Sequence, residues 1–365
     1  MIKTVAINLV KSEPMMVTWD LGRRCNYDCS YCEASRHDLT SPHHTLDEFT
    51  KTFEFIKSWT KLYNDKRQQQ SHTNINFTGG EPTVNPNFWK LVEHINKDDN
   101  FHLSLTTNGA WAIKHTKDIV KNFKGITVSY HAEANPLLRD RVIENILALH
   151  DSHIWLQVNV MLHADHWDHC VSVYEKLKSY GIKANPRPIG DGLIERTSWF
   201  VDSDGTMRRT AHAYSPEQQQ WFFDQMGFKG TAQQIREGTQ LGRACCGSRC
   251  TVGKVDGEWQ SVKLVNTNFK DWSCMVDWYF LHIDQHTGLV YHHQTCQALH
   301  EGKRGPIGNL NDSDNMLSNL IERLENPQPI ICPNQRCGCG MCVPKAESKE
   351  DFDIMWKNTI KLSSC

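Results

Sequence analysis

No stretch of the chain approaches the roughly 18 consecutive apolar residues that a membrane-spanning helix needs. The opening segment MIKTVAINLVKSEP is too short and too interrupted for a secretory h-region. An excess of charge is missing too: 40 Lys and Arg stand against 42 Asp and Glu, a formal net charge of −2. That balance gives no reason to expect a nucleic-acid backbone or an anionic membrane as the main partner. No internal repeat stands out, and the only low-complexity patch, KRQQQSH, reads as a loop. These absences lead to the expectation of a soluble, cytoplasmic protein. What the chain does have is cysteine, 14 residues of it. Without export disulfides are disfavoured, so clustered cysteines point to metal.

The length of 365 residues favours two domains, or one large domain with an appendage. From residue 16 to about 188 short β-rich runs alternate with helical stretches. Candidate strands are MVTWDL (16–21), NINF (74–77), HLSLT (102–106), GITVSY (125–130), IWLQVNVML (154–162) and IKANPRP (182–188). Between them, segments such as LDEFTKTFEFIKSWTKLY (46–63) carry a 3.6-residue apolar period, with Thr45 as the N-cap of that helix. Six β-α units in order predict an α/β fold with a parallel sheet covered by helices. Six is too few for a closed eight-stranded barrel. A partial (β/α)6 TIM-like barrel is therefore preferred to a doubly wound open sheet. After about residue 205 the alternation stops. We expect a barrel domain over 1–205, a linker helix region over 206–240 and a cysteine-rich α+β domain over 241–365.

Three motifs follow three successive strands. CNYDCSYC (25–32) places Cys25, Cys29 and Cys32 at spacing C-x3-C-x2-C, TGGEPT (78–83) leaves the second strand, and TTNG (106–109) closes the third. Loops at the C-terminal ends of parallel strands share one face, so the motifs converge there. A closed structural zinc or iron–sulfur site takes four protein ligands, and three thiolates leave one metal position open. Gly79 and Gly80 permit close backbone approach and a sharp exit from the strand. Glu81 offers a carboxylate to a cationic group, and Asn108 can hydrogen-bond a ribose.

With these motifs in this order, the chain resembles the radical S-adenosylmethionine (SAM) enzymes over roughly residues 15–190. CxxxCxxC with an aromatic residue before the last cysteine (Tyr31) resembles the family's cluster loop, and GGEP its methionine-amine motif. The resemblance implies that Cys25, Cys29 and Cys32 hold a [4Fe–4S] cluster, with Tyr31 beside the adenine. Gly79, Gly80 and Glu81 would then meet the methionine moiety of SAM. Ser129 and Asn159, polar residues on later strands, are candidates for the ribose or the methionine carboxylate. It also implies an electron donor of the flavodoxin or ferredoxin type, and a 5′-deoxyadenosyl radical that takes hydrogen from a substrate.

The second half is less regular. LHIDQHTGLVYHHQTC (281–296) reads as a hairpin turning at His286–Gly288, and ICPNQRCGCGMC (331–342) follows a helical run, NMLSNLIERLEN. This pattern resembles the twitch and SPASM extensions that hold auxiliary [4Fe–4S] clusters, although C-x4-C-x-C-x2-C departs from the full SPASM signature. One expected ligand set is Cys274, Cys296, Cys339 and Cys342. A second is Cys246, Cys250, Cys332 and Cys337. One or two auxiliary [4Fe–4S] clusters, or zinc at one site, satisfy that spacing. Cys170 and Cys365 read as a core thiol and a free end.

His163, His166 and His169 read as polar residues at a helix start, and His292 and His293 as exposed strand residues or lining of an auxiliary site. Arg187, Arg208 and Arg209 are surface cations or contacts to an acidic substrate. Relatives with such extensions often modify peptide or protein side chains, so a peptide is the first expectation, with a small molecule, sugar or nucleotide as the alternative. A non-catalytic iron–sulfur or zinc redox sensor is the competitor from another class. It has no use for a GGE loop facing its cluster.

Overall fold

The computed structural model describes residues 4–7, 15–32, 37–67, 70–189, 199–201, 207–209, 214–225, 251–255, 258–261, 269–274, 280–291, 305–326, 328–332 and 345–354. Its elements begin with β1 (Thr4–Ile7), β2 (Met15–Asp20), α1 (Leu46–Arg67), β3 (Thr73–Thr78), α2 (Phe88–Ile95), β4 (Phe101–Thr107) and α3 (Thr116–Asn122). Next come β5 (Gly125–His131), α4 (Pro136–Asp151), β6 (Trp155–Leu162), α5 (Trp167–Ser179), β7 (Ala184–Pro188), β8 (Trp199–Val201), β9 (Met207–Arg209) and α6 (Pro216–Gln225). The remainder holds β10 (Thr251–Val255), β11 (Glu258–Ser261), β12 (Ser273–Cys274), β13 (Phe280–Asp284), β14 (Leu289–Tyr291), β15 (Gly308–Asn309), α7 (Ser313–Glu325), β16 (Ile330–Ile331) and β17 (Lys345–Ala346). Among the described residues, no helix is long and apolar enough to cross a membrane.

The chain divides into two compact units. The first comprises Trp19–Thr50 and Ile75–Gln240. In the sheet β2 to β7 are neighbours in chain order, with β4 to β7 wholly within this unit. Parallel ladders join β4 through β7, with Ser129 opposite Asn159 and Asn159 opposite Asn185. This is the parallel α/β sheet of a partial TIM-like barrel that six β-α units predict. Side chains of β2 to β5 alternate between buried and half-exposed, as strands covered on one face must. The buried set packs on helices: Trp19 meets Phe49 of α1 at 6.0 Å and Phe77 meets Phe88 of α2 at 5.6 Å, both edge-on. Thr45 opens α1 as expected, in a reciprocal box with Glu48: Thr45 N–H donates to Glu48 Oε2 at 2.7 Å, and Glu48 N–H to Thr45 Oγ1 at 3.3 Å.

The opposite face of the sheet is polar. Asn76, Ser104, Thr106, Thr127, Ser129, Gln157 and Asn159 occupy its half-exposed positions. Barrel interiors are ordinarily filled by Val, Ile and Leu in packed layers. Amides and hydroxyls instead leave a surface suited to a hydrogen-bonding guest.

The second unit comprises Met1–Thr18, Lys51–Asn74 and Leu241–Cys365. It contains an antiparallel six-stranded sheet in the order β11-β10-β1-β17-β12-β16. The expected hairpin is present as β13 and β14, its turn held by N–H groups of His286 and Thr287 donating to Asp284 Oδ1. Cys274 on β12 is buried opposite Ile330. Cys332 follows β16 and donates its N–H to Trp272 O at 2.8 Å, just before β12, so the two cysteines belong to neighbouring chain segments although the sequence reading assigns them to different ligand sets. Cys246, Cys250, Cys296, Cys337, Cys339, Cys342, His292 and His293 lie outside the described residues.

Candidate functional site

The loops that leave β2 and β3 are tied into one body by backbone hydrogen bonds. Leu21 N–H donates to Thr78 O at 2.9 Å, Gly80 N–H to Gly22 O at 2.8 Å and Glu81 N–H to Arg24 O at 2.9 Å. Asp38 closes the loop carrying the cysteines: its N–H donates to Arg23 O at 2.9 Å and its carbonyl accepts from Cys25 N–H at 2.8 Å. The two glycines are required by this crossing. A Cβ at position 80 would lie 2.2 Å from Arg23 O, and one at 79 would lie 2.3 Å from Asp20 Oδ1, at a φ of +118°.

Glu81 is 3% exposed. Its Oε1 accepts from Thr83 N–H at 3.1 Å, Thr83 Oγ1 at 2.6 Å and Thr107 Oγ1 at 2.8 Å. Its Oε2 accepts from Asn108 N–H at 2.7 Å. Burial raises the carboxyl pKa, and these donors work against that rise. Asn108 in turn donates Nδ2–H to Asn26 Oδ1 at 2.6 Å and accepts from Ala110 N–H at 3.0 Å. The carboxylate thus joins the β3 and β4 loops, and Asn108 joins both to the cysteine loop.

Cys29 is buried, Cys25 half-buried and Cys32 exposed. Burial pushes the Cys25 thiol up to about 11 and the Cys29 thiol up to about 12. Desolvated thiols stay protonated unless a cation takes the proton's place, and metal binding does that. Tyr27 N–H already points at Cys25 Sγ from 3.3 Å, as backbone donors do around cluster sulfurs. Three thiols on one loop, two of them desolvated and one facing an amide, fit a [4Fe–4S] cluster with one iron left open.

Beyond the cysteines, β5 and β6 supply residues that the sequence reading missed. Tyr31 O–H meets Nδ1 of His131 at 2.5 Å, and the two rings stack at 5.9 Å. The same nitrogen lies 3.5 Å from Cys29 Sγ. Burial lowers the His131 pKa to about 4, so the imidazole is neutral. Glu133 Oε2 accepts the N–H of Ser30 at 3.0 Å, and Oε1 lies 3.3 Å from His163 Nε2. The strand-end rule used for the first three strands, extended to the fourth, would have found His131 and Glu133.

His163 does open a short 3-10 turn, where Nδ1 accepts from Asp165 N–H at 3.2 Å. It is also buried against the cysteine loop's anchor, which the expectation of a plain helix-start residue omits. His169 belongs elsewhere, bonded to Tyr130 O–H at 2.8 Å. Ser129 and Asn159 lie side by side, and Asn159 Oδ1 accepts from Gln157 Nε2 at 3.2 Å and Arg187 Nε at 3.4 Å. Arg208 and Arg209 fall on β9, paired with Phe200 and Trp199 of β8.

Residues 19–184 match the model of the radical SAM superfamily, so the chain carries a radical SAM domain, the catalytic domain of a superfamily of enzymes. It is 35% identical over 129 residues to a GTP 3′,8-cyclase of Staphylococcus epidermidis, a match covering 34% of each chain. It is 29% identical over 113 residues to an S-adenosylmethionine-dependent nucleotide dehydratase of Fibrobacter sp. strain UWH6, covering 30% of this chain and 28% of that protein. The chain therefore matches about a third of the length of these relatives. In fold it is similar to native anSMEcpe solved with bound AdoMet and the Cp18Cys peptide, with a TM-score of 0.52 at 15% identity over 96% of this chain and 99% of that one.

Proposed function

We propose that this chain cleaves SAM reductively at a [4Fe–4S] cluster held by Cys25, Cys29 and Cys32, and so takes hydrogen from a compact, polar substrate of nucleotide type. The observation that carries the reading is the stapling of the cysteine loop to the GGE loop, Gly80 to Gly22 and Glu81 to Arg24. The cluster and its bound SAM supply, when present, a 5′-deoxyadenosyl radical. The chain's own residues bind and orient. Glu81 and Asn108 hold three loops in register. Gly79 and Gly80 bring backbone to the cofactor's methionine end, and Tyr31 offers a ring to the adenine. A flavodoxin or ferredoxin-type donor in the cytoplasm is part of this reading.

The substrate class is argued from the polar face of the sheet. Arg187 can only donate, so its bond fixes Oδ1 of Asn159 as the acceptor and leaves that amide's NH2 as a donor at a position in register with Ser129. Amides paired with a guanidinium suit the edges of a heterocycle and an anionic group. The named activities of the cyclase and dehydratase relatives agree with that chemistry. Peptide modification, the first expectation from the cysteine-rich extension, is the other arm of the test. Auxiliary [4Fe–4S] clusters or zinc at Cys274, Cys332 and the remaining tail cysteines belong to the same proposal.

Anaerobic reconstitution with dithionite and SAM tests the first claim. Absence of 5′-deoxyadenosine above background from a loaded cluster would end the enzyme reading. Incubation with a panel of nucleoside triphosphates, and separately with a peptide library, tests the second. Increased 5′-deoxyadenosine with a nucleotide, lost in Asn159→Leu while uncoupled SAM cleavage persists, supports the proposal. Stimulation by peptides alone returns the substrate to the peptide class.

A further inference from the structure

The cysteine loop is anchored at both ends by different groups. Its first half is tied by Cys25 N–H to Asp38 O at 2.8 Å and by Asn26 Oδ1 to Asn108 Nδ2 at 2.6 Å. Its second half, Ser30 and Tyr31, is tied to the end of β5 by Glu133 and His131. Ser30 stands between Cys29 and Cys32, so its amide orientation sets how those two thiols are presented. The carboxylate that accepts this amide uses a separate oxygen for each partner, Oε2 at 3.0 Å for Ser30 N–H and Oε1 at 3.3 Å for His163 Nε2.

The protonation of His163 follows from its other nitrogen. Asp165 N–H is an obligate donor to Nδ1 at 3.2 Å, so Nδ1 is bare and the proton sits on Nε2, facing Glu133. The side chain of His163 is 5% exposed and that of Glu133 21% exposed. His163 Nε2 meets Glu133 Oε1 as an electrostatic contact, so the backbone after β6, an imidazole and a carboxylate stand in series behind one amide of the cysteine loop. The arrangement parallels the way outer partners fix the ligands of other metal sites.

We infer that Glu133, oriented by His163, is a positioning residue for the cluster loop: it fixes the Ser30 amide between Cys29 and Cys32 and sets a negative charge beside the cluster. The inference rests on the reading of Cys25, Cys29 and Cys32 as cluster ligands. Two consequences separate its parts. The hydrogen bond holds the loop with or without iron. The charge acts only on the loaded cluster, where a nearby anion disfavours an added electron and lowers the reduction potential.

The experiment uses the full chain with Glu133→Ala, Glu133→Gln and His163→Gln. In the iron-free proteins, hydrogen exchange of the segment spanning Cys29 to Cys32 is followed by mass spectrometry. Glu133→Ala is expected to exchange about tenfold faster than wild type, as for loss of a charge-assisted bond. Glu133→Gln keeps an acceptor for Ser30 and should exchange within a few-fold of wild type. After reconstitution, Glu133→Gln should hold wild-type iron with a potential shifted positive, and Glu133→Ala should lose iron faster to a chelator. His163→Gln should lie between them in exchange. Wild-type exchange and wild-type potential in Glu133→Ala, on a wild-type protein that holds its cluster, overturn the inference alone. A wild-type protein that binds no iron at this loop overturns it together with the cluster reading.

Discussion

Glu81 receives four protein donors on two oxygens, and two of those donors are backbone amides on opposite sides of the carboxylate. A glutamine cannot satisfy both, because one of its ends is itself a donor. Glu81→Gln should therefore weaken SAM binding by about 1.5–3 kcal/mol, the worth of a charged hydrogen bond, while the cluster's absorbance persists. Thr107→Val removes one of the same donors. If Glu81 acts through the loops it joins, the two substitutions are non-additive in calorimetric affinity for SAM. Additive losses would mean that the carboxylate meets the cofactor independently of Thr107. A second prediction belongs to Gly80. Since its Cβ would fall 2.2 Å from a backbone oxygen that cannot swing away, Gly80→Ala should displace the cysteine loop and lower iron retained after reconstitution.

The strands were legible because one face of each is buried and the other is not. In β3 the alternation of Ile75 and Phe77 with Asn74 and Asn76 marks both the strand and its two faces. The cysteine spacing and the paired glycines were legible as chemistry. That Gly80 accommodates the carbonyls of Arg23 and Arg24, and Gly79 the Asp20 carboxylate and the Gly22 carbonyl, was not, since the partners lie more than 50 residues away. Glu133 and His163 escaped for a similar reason: each looks like an ordinary polar residue until Ser30 is placed beside them. Asp38 is another such case. Desolvation, the largest single influence, raises its pKa, but hydrogen bonds from Ser41 and Thr40 and the charge of Arg23 together outweigh that and hold it at about 2 against an ordinary 3.8. A carboxyl depressed in the folded chain stabilises above its ordinary pKa, and that contribution is lost as pH falls from about 3.8 toward 2. Asp38→Asn should flatten this part of the pH dependence of urea stability in the iron-free protein, and leave it unchanged if the loop carries no such linkage.

At the scale of the whole molecule, the proposal of auxiliary clusters predicts two independent metal populations. Replacing Cys25, Cys29 and Cys32 by Ala should remove about four irons per chain and abolish SAM cleavage. Iron in the cysteine-rich unit should remain. Its electron paramagnetic resonance signal should not respond to SAM, whereas part of the wild-type signal should shift. X-ray absorption showing zinc held by the tail thiolates would turn that unit into a structural clamp and leave the barrel chemistry standing.

The hydrogen bonds that run from Gly80 to Gly22, from Glu81 to Arg24 and from Asn108 to Asn26 also bear on how such a chain can be engineered. Each bond has its two ends on different βα loops, so no loop is a free module. A chimera that imports a foreign cysteine loop between Leu21 and Ser41 keeps its acceptor carbonyls only if the backbone path past Gly79 and Gly80 is unchanged. Transplanting the three loops together, with Thr83 and Thr107, should preserve iron loading where single-loop grafts lose it. Recombination among relatives should tolerate crossovers in the helices and reject them between these strand ends.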